Sequence, residues 1–321
     1  MQIKSLVILG PTASGKTQLS LKLSQFFSSE IINCDTSIFY KYFSIGTGKP
    51  NKKNLKLIKH NLLDFLEPDQ DYSLAEFLND ANNIINKIVS DNKVPILVGG
   101  SGQYLKALIE NWNVSNIKPN MELRKKLEKE IDESGLESLY QKLKNQFPEN
   151  AQRVDSKNPR RVIRAFELGL EGGTVSRETK KNNKIFFKFG LTMPREILYK
   201  KIDERIEKMF EDNWVGEVED LIKKGFNKEL NSFSSIGYNE IYDHLVNKLD
   251  LDIAINLIKK RTRNLVRHQY NWFKLNDPEI KWFDSSKHSI NYISEKILEE
   301  KIEHKFWETA WCRKWLHSNW W

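Results

Sequence analysis

Hydrophobic positions along the chain change period several times, and those changes mark out its elements. Four consecutive apolar residues, Leu6-Val7-Ile8-Leu9, read as a strand covered on both faces. Leu19, Leu23, Phe26 and Phe27 then fall at helical spacing and predict a helix over 18–27. Glu30-Ile31-Ile32-Asn33-Cys34-Asp35 reads as a second strand ending in a carboxylate, and 60–68 as a connection. Apolar residues recur from 74 to 88 at helical intervals, so 72–90 is a helix with Ser73 as its N-cap. Val94-Pro95-Ile96-Leu97-Val98 is a third parallel strand, running into Gly99-Gly100-Ser101-Gly102 and a helix from Tyr104. From about 116 to 183 the β signal fades and charged helical segments take over, over 121–147 and again after Asn158-Pro159. Strand character returns at 185–193, followed by a helix over 197–225, a loop at 234–238 opening a helix, and a last strand at 280–283.

This alternation predicts an α/β fold: a parallel sheet flanked by helices, with a helical insertion. The expected boundaries are a core at 1–115 and 184–305, an insertion at 116–183, and a tail at 306–321. The tail holds five of the nine tryptophans, and Trp307, Trp311 and Trp315 share one helical face. Residues 180–184 read as a polar connector.

Composition narrows the class only modestly. The chain has 321 residues, and no window approaches the ~18 unbroken apolar residues of a membrane span. No leader pattern precedes the first strand, and two cysteines give neither a disulfide framework nor a zinc cluster, so a reducing cytoplasm is expected. Nor do the six histidines show metal-ligand spacing. The formal charge of +8 gains meaning where basic residues cluster. Arg160 and Arg164 stack one helical turn apart, and Lys259, Lys260, Arg263, Arg267 and Lys274 share one sector of a later helix. That sector reads either as a solvated edge or as a phosphate-backbone contact.

The sharpest chemical signal follows the first strand. Gly10-Pro11-Thr12-Ala13-Ser14-Gly15-Lys16-Thr17 fits G-x-x-x-x-G-K-[ST] at every fixed position. Gly10 and Gly15 let successive N–H groups turn inward on an anion, and the following helix adds its positive end. Lys16 reaches distal phosphates, and the Thr17 hydroxyl is placed to ligand Mg²⁺. Strand carboxyl ends point into the ligand crevice of such sheets, which puts Asp35 and Ser101 beside this loop. Taken alone, the loop at 45–50 reads as an ordinary turn.

In order along the chain, these pieces resemble the tRNA dimethylallyltransferase (tRNA isopentenyltransferase) family. The likeness runs from Leu6 to about Asp284. Beyond the loop it is carried by Asp35-Thr36-Ser37-Ile38-Phe39-Tyr40, Ile45-Gly46-Thr47-Gly48-Lys49-Pro50 and Leu97-Val98-Gly99-Gly100-Ser101-Gly102. Asn158-Pro159-Arg160-Arg161-Val162-Ile163-Arg164-Ala165, Ile236-Gly237-Tyr238 and Arg267-His268-Gln269-Tyr270-Asn271-Trp272-Phe273 complete it.

The resemblance implies a P-loop NTPase-like fold and transfer of a dimethylallyl group from dimethylallyl diphosphate to N6 of an adenosine beside the tRNA anticodon. Asp35 is then the general base, Ser101 holds the target amine, and Lys16 and Arg205 bind the diphosphate. RNA contacts are implied at Asp35, Thr36, Ser37, Ile38 and Ser101, and in the insertion at Arg124, Arg160, Arg161, Val162, Ile163 and Arg164. Further implied contacts are Gly237 and Tyr238, then Arg267, Gln269 and Trp272. The expected partner is the anticodon stem-loop, the expected state a monomer. Three positions depart from the family pattern: Ile38 stands where Gln is usual, Ser101 where Thr is usual, and Gln103 where an apolar residue is usual. The competing readings are a nucleotide or metabolite kinase, prenyl transfer to a free adenine nucleotide, and an NTP-gated RNA-binding module.

Overall fold

The computed structural model describes residues 3–175, Thr179 and 183–303. The tryptophan-rich stretch and most of the 180–184 connector lie outside those residues. A first group of elements is β1 (Ile3–Leu9), α1 (Lys16–Leu23), β2 (Ser29–Asn33), α2 (Lys52–Leu57), β3 (His60–Asn61), α3 (Leu74–Ser90), β4 (Val94–Val98) and α4 (Gly102–Ile109). Four helices follow: α5 (Met121–Ser134), α6 (Leu136–Gln146), α7 (Pro148–Gln152) and α8 (Pro159–Leu170). The rest is β5 (Lys184–Thr192), α9 (Arg195–Glu211), α10 (Trp214–Lys223), α11 (Tyr238–Asn247), α12 (Leu251–Trp272), β6 (Ile280–Asp284) and α13 (Ile290–Glu303).

All six strands are parallel, in the order β3-β2-β4-β1-β5-β6. This is the expected α/β architecture. The order puts β2, β4 and β1 side by side, so the segments leaving their carboxyl ends meet. Those segments are Cys34-Asp35, Gly99–Gly102 and Gly10–Thr17. Leu6 and Ile8 of β1, Ile31 of β2 and Ile96 and Val98 of β4 pack with Leu19 and Leu23 of α1 and Ile293 and Ile297 of α13. A second core gathers Leu198, Ile202 and Ile206 of α9 with Trp214, Tyr238, Ile258 and Val266.

The chain separates into two compact units. One holds the described parts of Met1–Asp71, Asp80–Ile109 and Asn183–Trp321; the other holds Tyr72–Asn79 and those of Glu110–Asn182. The helical unit has its own core of Leu127, Leu139, Leu143, Val162, Ile163 and Phe166.

Several expected elements are revised by backbone breaks. The 121–147 helix is two helices parted at Gly135, whose φ of 83° is left-handed. The 197–225 helix is likewise two, parted by Asn213 at φ 70°. The connection at 60–68 contains the two-residue edge strand β3, so Val94–Val98 is the fourth strand, and the helix after it starts at Gly102. The helix expected over 18–27 starts and ends earlier, because the glycine turn passes directly into it at Lys16. Both expected caps are present. Ser73 and Glu76 cap each other's backbone N–H, and the Asn158 side chain accepts from Arg161 N–H.

Candidate active site

The loop after β1 is a backbone nest. Gly10, Ala13 and Gly15 all have positive φ (136°, 62° and 99°), which turns neighbouring N–H groups to one side. Gly10 admits no side chain, since a Cβ there would stand 2.4 Å from the Leu191 carbonyl oxygen. Lys16 folds back and donates to the Pro11 carbonyl (2.7 Å). Burial pulls the Lys16 pKa down to about 8; Asp35 opposes that fall and Arg205 adds to it.

Asp35 leaves β2 and caps the short turn at Thr36–Ile38. Its Oδ1 accepts from Ser37 Oγ (2.8 Å), Ser37 N–H (3.3 Å) and Ser101 Oγ (3.5 Å). Ser101 Oγ in turn accepts from Thr36 N–H (3.1 Å). The carboxylate is therefore held through one oxygen. Among the described residues, Oδ2 accepts no hydrogen bond and remains available for chemistry.

Arg205, on α9, lies against Gly48 in the 45–50 loop, which taken alone reads as an ordinary turn. A Cβ at Gly48 would sit 1.8 Å from the Arg205 guanidinium and displace it, and the left-handed φ of 63° also favours glycine there. Arg205 donates a long hydrogen bond to Thr12 Oγ1 (3.4 Å) and makes no ion pair among the described residues. Burial lowers its pKa from the ordinary value, with Asp35 opposing.

Two cavities meet here. The smaller, about 90 Å³, is lined by Lys16, Thr17, Asn33, Gly48 and His60. The larger, about 430 Å³, is lined by Ser101, Gln103, Tyr104, His268 and Trp272 and by the apolar Ile202, Met209, Trp214 and Ile258. Thr12, Asp35, Thr47 and Arg205 line both. Thr47 and His60 were not singled out from sequence. The available signals were the paired glycines of Gly46-Thr47-Gly48 and the position of His60 at the sheet edge.

The implied RNA contacts divide by exposure. Arg160, Arg161 and Arg267 are exposed, as a contact requires. Val162 and Ile163, in contrast, are buried in the helical core and offer no surface. Tyr238 is fully buried, with its hydroxyl donating to Glu217 (2.7 Å), because it fills the space beside Trp214 and Phe43. Gly237 lies under the Trp214 ring and Ile38 is buried. Trp272 is half-buried against Gly102. Arg124 and Arg164 both hold the buried Glu167 carboxylate. Burial raises the Glu167 pKa, but Arg124, the Asn120 N–H and Arg164 outweigh it and hold the carboxyl below its ordinary value. Of the basic sector on α12, Lys259 pairs with Glu207 (2.8 Å) and Arg263 with Asp203.

Thr17, Asn33 and Asp35 line the smaller cavity with hard oxygen donors, a donor set whose chemistry fits Mg²⁺.

The likeness to known proteins covers nearly the whole chain. Residues 38–276 match the family model described as IPP transferase. A tRNA dimethylallyltransferase of Carboxydothermus hydrogenoformans is 39% identical over 307 residues, covering 94% of this chain and 98% of that protein. One from Dictyoglomus turgidum is 36% identical over 306 residues, covering 94% of each. Among solved structures, the tRNA isopentenylpyrophosphate transferase of Bacillus halodurans superposes with a TM-score of 0.68 at 31% identity, over 95% of this chain and all of that one. A eukaryotic dimethylallyltransferase captured acting on tRNA superposes with a TM-score of 0.76 at 25% identity, over 94% of this chain and 80% of that one. Their P-loop NTPase-like fold is the fold seen here, and the chain belongs to the IPP transferase family.

Proposed function

We propose that this protein transfers a dimethylallyl group from dimethylallyl diphosphate to N6 of an adenosine next to the anticodon of tRNA. One observation carries the reading beyond family membership: Asp35 stands on the wall common to an anion-binding cavity and a larger, partly apolar one. A leaving diphosphate fits the first, the prenyl chain and the incoming base fit the second, and a carboxylate lies between them.

The chemistry follows from that placement. The N6 lone pair attacks C1 of the prenyl group; the C1–O bond breaks and its electron pair leaves on the diphosphate. The proton released from N6 passes to Asp35 Oδ2, the oxygen without a hydrogen-bond partner among the described residues. A positioned general base of this kind contributes ~10²–10⁴-fold. Lys16, Arg205 and the nest N–H groups receive the charge that develops on the leaving diphosphate. Thr17 would hold Mg²⁺, which supplies further charge neutralisation when bound. Ser101 orients Asp35 and borders the space for the amine. The target base must leave its stack to reach this depth, and the exposed Arg160, Arg161 and Arg267 suit contact with the RNA backbone.

No helix among the described residues is long and apolar enough to cross a membrane. This reading puts the enzyme in the cytoplasm beside its tRNA, working as a monomer. Incubation with dimethylallyl diphosphate and an anticodon stem-loop should yield prenylated adenosine and free diphosphate. Phosphorylated product from ATP, with no prenylated adenosine, would establish the kinase reading instead.

A further inference from the structure

Gln269 was implied to be an RNA contact, yet both ends of its side-chain amide are engaged inside the protein. The residue sits near the end of α12 and is only 8% exposed. Its Oε1 accepts the Thr12 N–H of the phosphate loop (3.0 Å), and its Nε2 donates to the Gly100 carbonyl (3.1 Å). One partner is a donor and the other an acceptor, so the amide fits in a single orientation. Gly100 is shaped around it: a Cβ there would stand 2.4 Å from Gln269 Nε2. One turn further on, the Trp272 ring fills the corresponding space at Gly102. The two glycine turns leave the sheet from neighbouring strands; Gly99 N–H donates to the Ile8 carbonyl of β1 (3.4 Å), and beyond that no backbone hydrogen bond joins the turns among the described residues. The amide is what ties Thr12 to Gly100, and it lines the larger cavity between them.

We infer that Gln269 is a positioning residue. It fixes the phosphate loop against the turn carrying Ser101, and so sets the distance between the diphosphate cradle and the Ser101–Asp35 pair. Displacements of about 1 Å between reacting groups can cost on the order of 10²-fold in rate, which is the scale such a strut controls. Transfer as the readout rests on the proposed function, whereas binding of inorganic diphosphate does not.

The test compares Gln269→Met, which keeps the volume and removes both hydrogen bonds, with the wild type. Four quantities are measured: affinity for Mg²⁺-diphosphate by calorimetry, affinity for the anticodon stem-loop, and kcat and KM for prenyl transfer. The expected result is ~10-fold or greater weakening of diphosphate binding and ~10–100-fold lower kcat, with RNA affinity within about twofold. Gly100→Ala presses on the same contact from the other side; because its methyl would also stand 3.5 Å from Asp35 Oδ2, diphosphate affinity is its deciding readout. It should reproduce the pattern, and the double variant should be no worse than the worse single one. If Gln269→Met does not fold, Gly100→Ala and Gln269→Glu carry the comparison. Gln269→Glu keeps the acceptor for Thr12, loses the donor to Gly100, and should lose diphosphate affinity as well. A loss confined to RNA affinity would overturn the inference, as would unchanged diphosphate binding in these variants or multiplying effects in the double variant. Failure of the wild type to transfer a prenyl group would sink the proposed function and leave the diphosphate comparison standing.

Discussion

Two sets of arginines, one in each unit, stand in opposite electrostatic situations. In the helical unit, Arg124 and Arg164 converge on Glu167, whose carboxylate is 2% exposed and also accepts the Asn120 N–H (2.9 Å). Both cations there share one carboxylate, and the cluster ties α5 to α8. In the α/β unit, Arg205 is packed on a glycine, makes one long hydrogen bond to a hydroxyl, and meets no carboxylate oxygen within ion-pair distance among the described residues. A desolvated guanidinium without a paired anion is costly to fold around. It makes sense as half of an interaction whose other half is a ligand. Paired charge marks scaffold, and a half-buried, desolvated charge without an ion-pair partner marks a site.

The sharpest break of this contrast is at the carboxylate facing Arg205. Asp35→Asn should lower transfer by ~10²–10⁴-fold and leave stem-loop affinity within about twofold, measured by single-turnover prenylation and filter binding. Arg205→Met should reduce kcat by ~10²–10³-fold, the scale of losing one preorganised charge stabiliser. Its unfolding free energy in urea should hold or rise, because only a long hydrogen bond to the Thr12 hydroxyl is lost and no ion-pair partner is left unpaired. A marked loss of stability would place Arg205 with the scaffold.

Glu167→Gln should act in the opposite sense. It should destabilise the helical unit by about 2–3 kcal/mol, below the ~3–5 kcal/mol of a fully buried pair, since both arginines keep some solvent contact. Diphosphate affinity should not move. A smaller effect is expected with pH. The Lys16 ammonium is depressed to about 8 in the free protein, so it carries its charge below that pH and loses it above. Diphosphate affinity should therefore fall as pH rises through about 8, by no more than about tenfold per unit, and Lys16→Met should flatten that dependence.

The parts of this site that sequence revealed are those built from local chain. A nest needs its glycines at fixed spacing, so Gly10–Thr17 is legible, and a strand followed by a carboxylate announces Asp35. The 3.6-residue pattern of α3 and the cap at Asn158 are local in the same way. What escaped reading joins distant segments. Gln269 meets Thr12 across 257 positions, and Arg124 meets Glu167 across 43. Val162 and Tyr238 lie in motifs that looked RNA-facing as a whole, but which face of a helix a core covers depends on elements elsewhere in the chain. Arg205 could be named only through the family likeness, because the glycine that receives it lies in a loop with no chemical signature of its own.

The central claim is that the cradle discards phosphate while the carbon chain moves. Dimethylallyl diphosphate labelled at C1 with carbon-14 and at the β-phosphorus with phosphorus-32 tests it directly, with an anticodon stem-loop as acceptor. The expected result is carbon label in the RNA, all phosphorus label in free diphosphate, and a ~10²–10⁴-fold slowing of both carbon transfer and diphosphate release in Asp35→Asn. Phosphorus label in the acceptor, or carbon label that never leaves the donor, would contradict it.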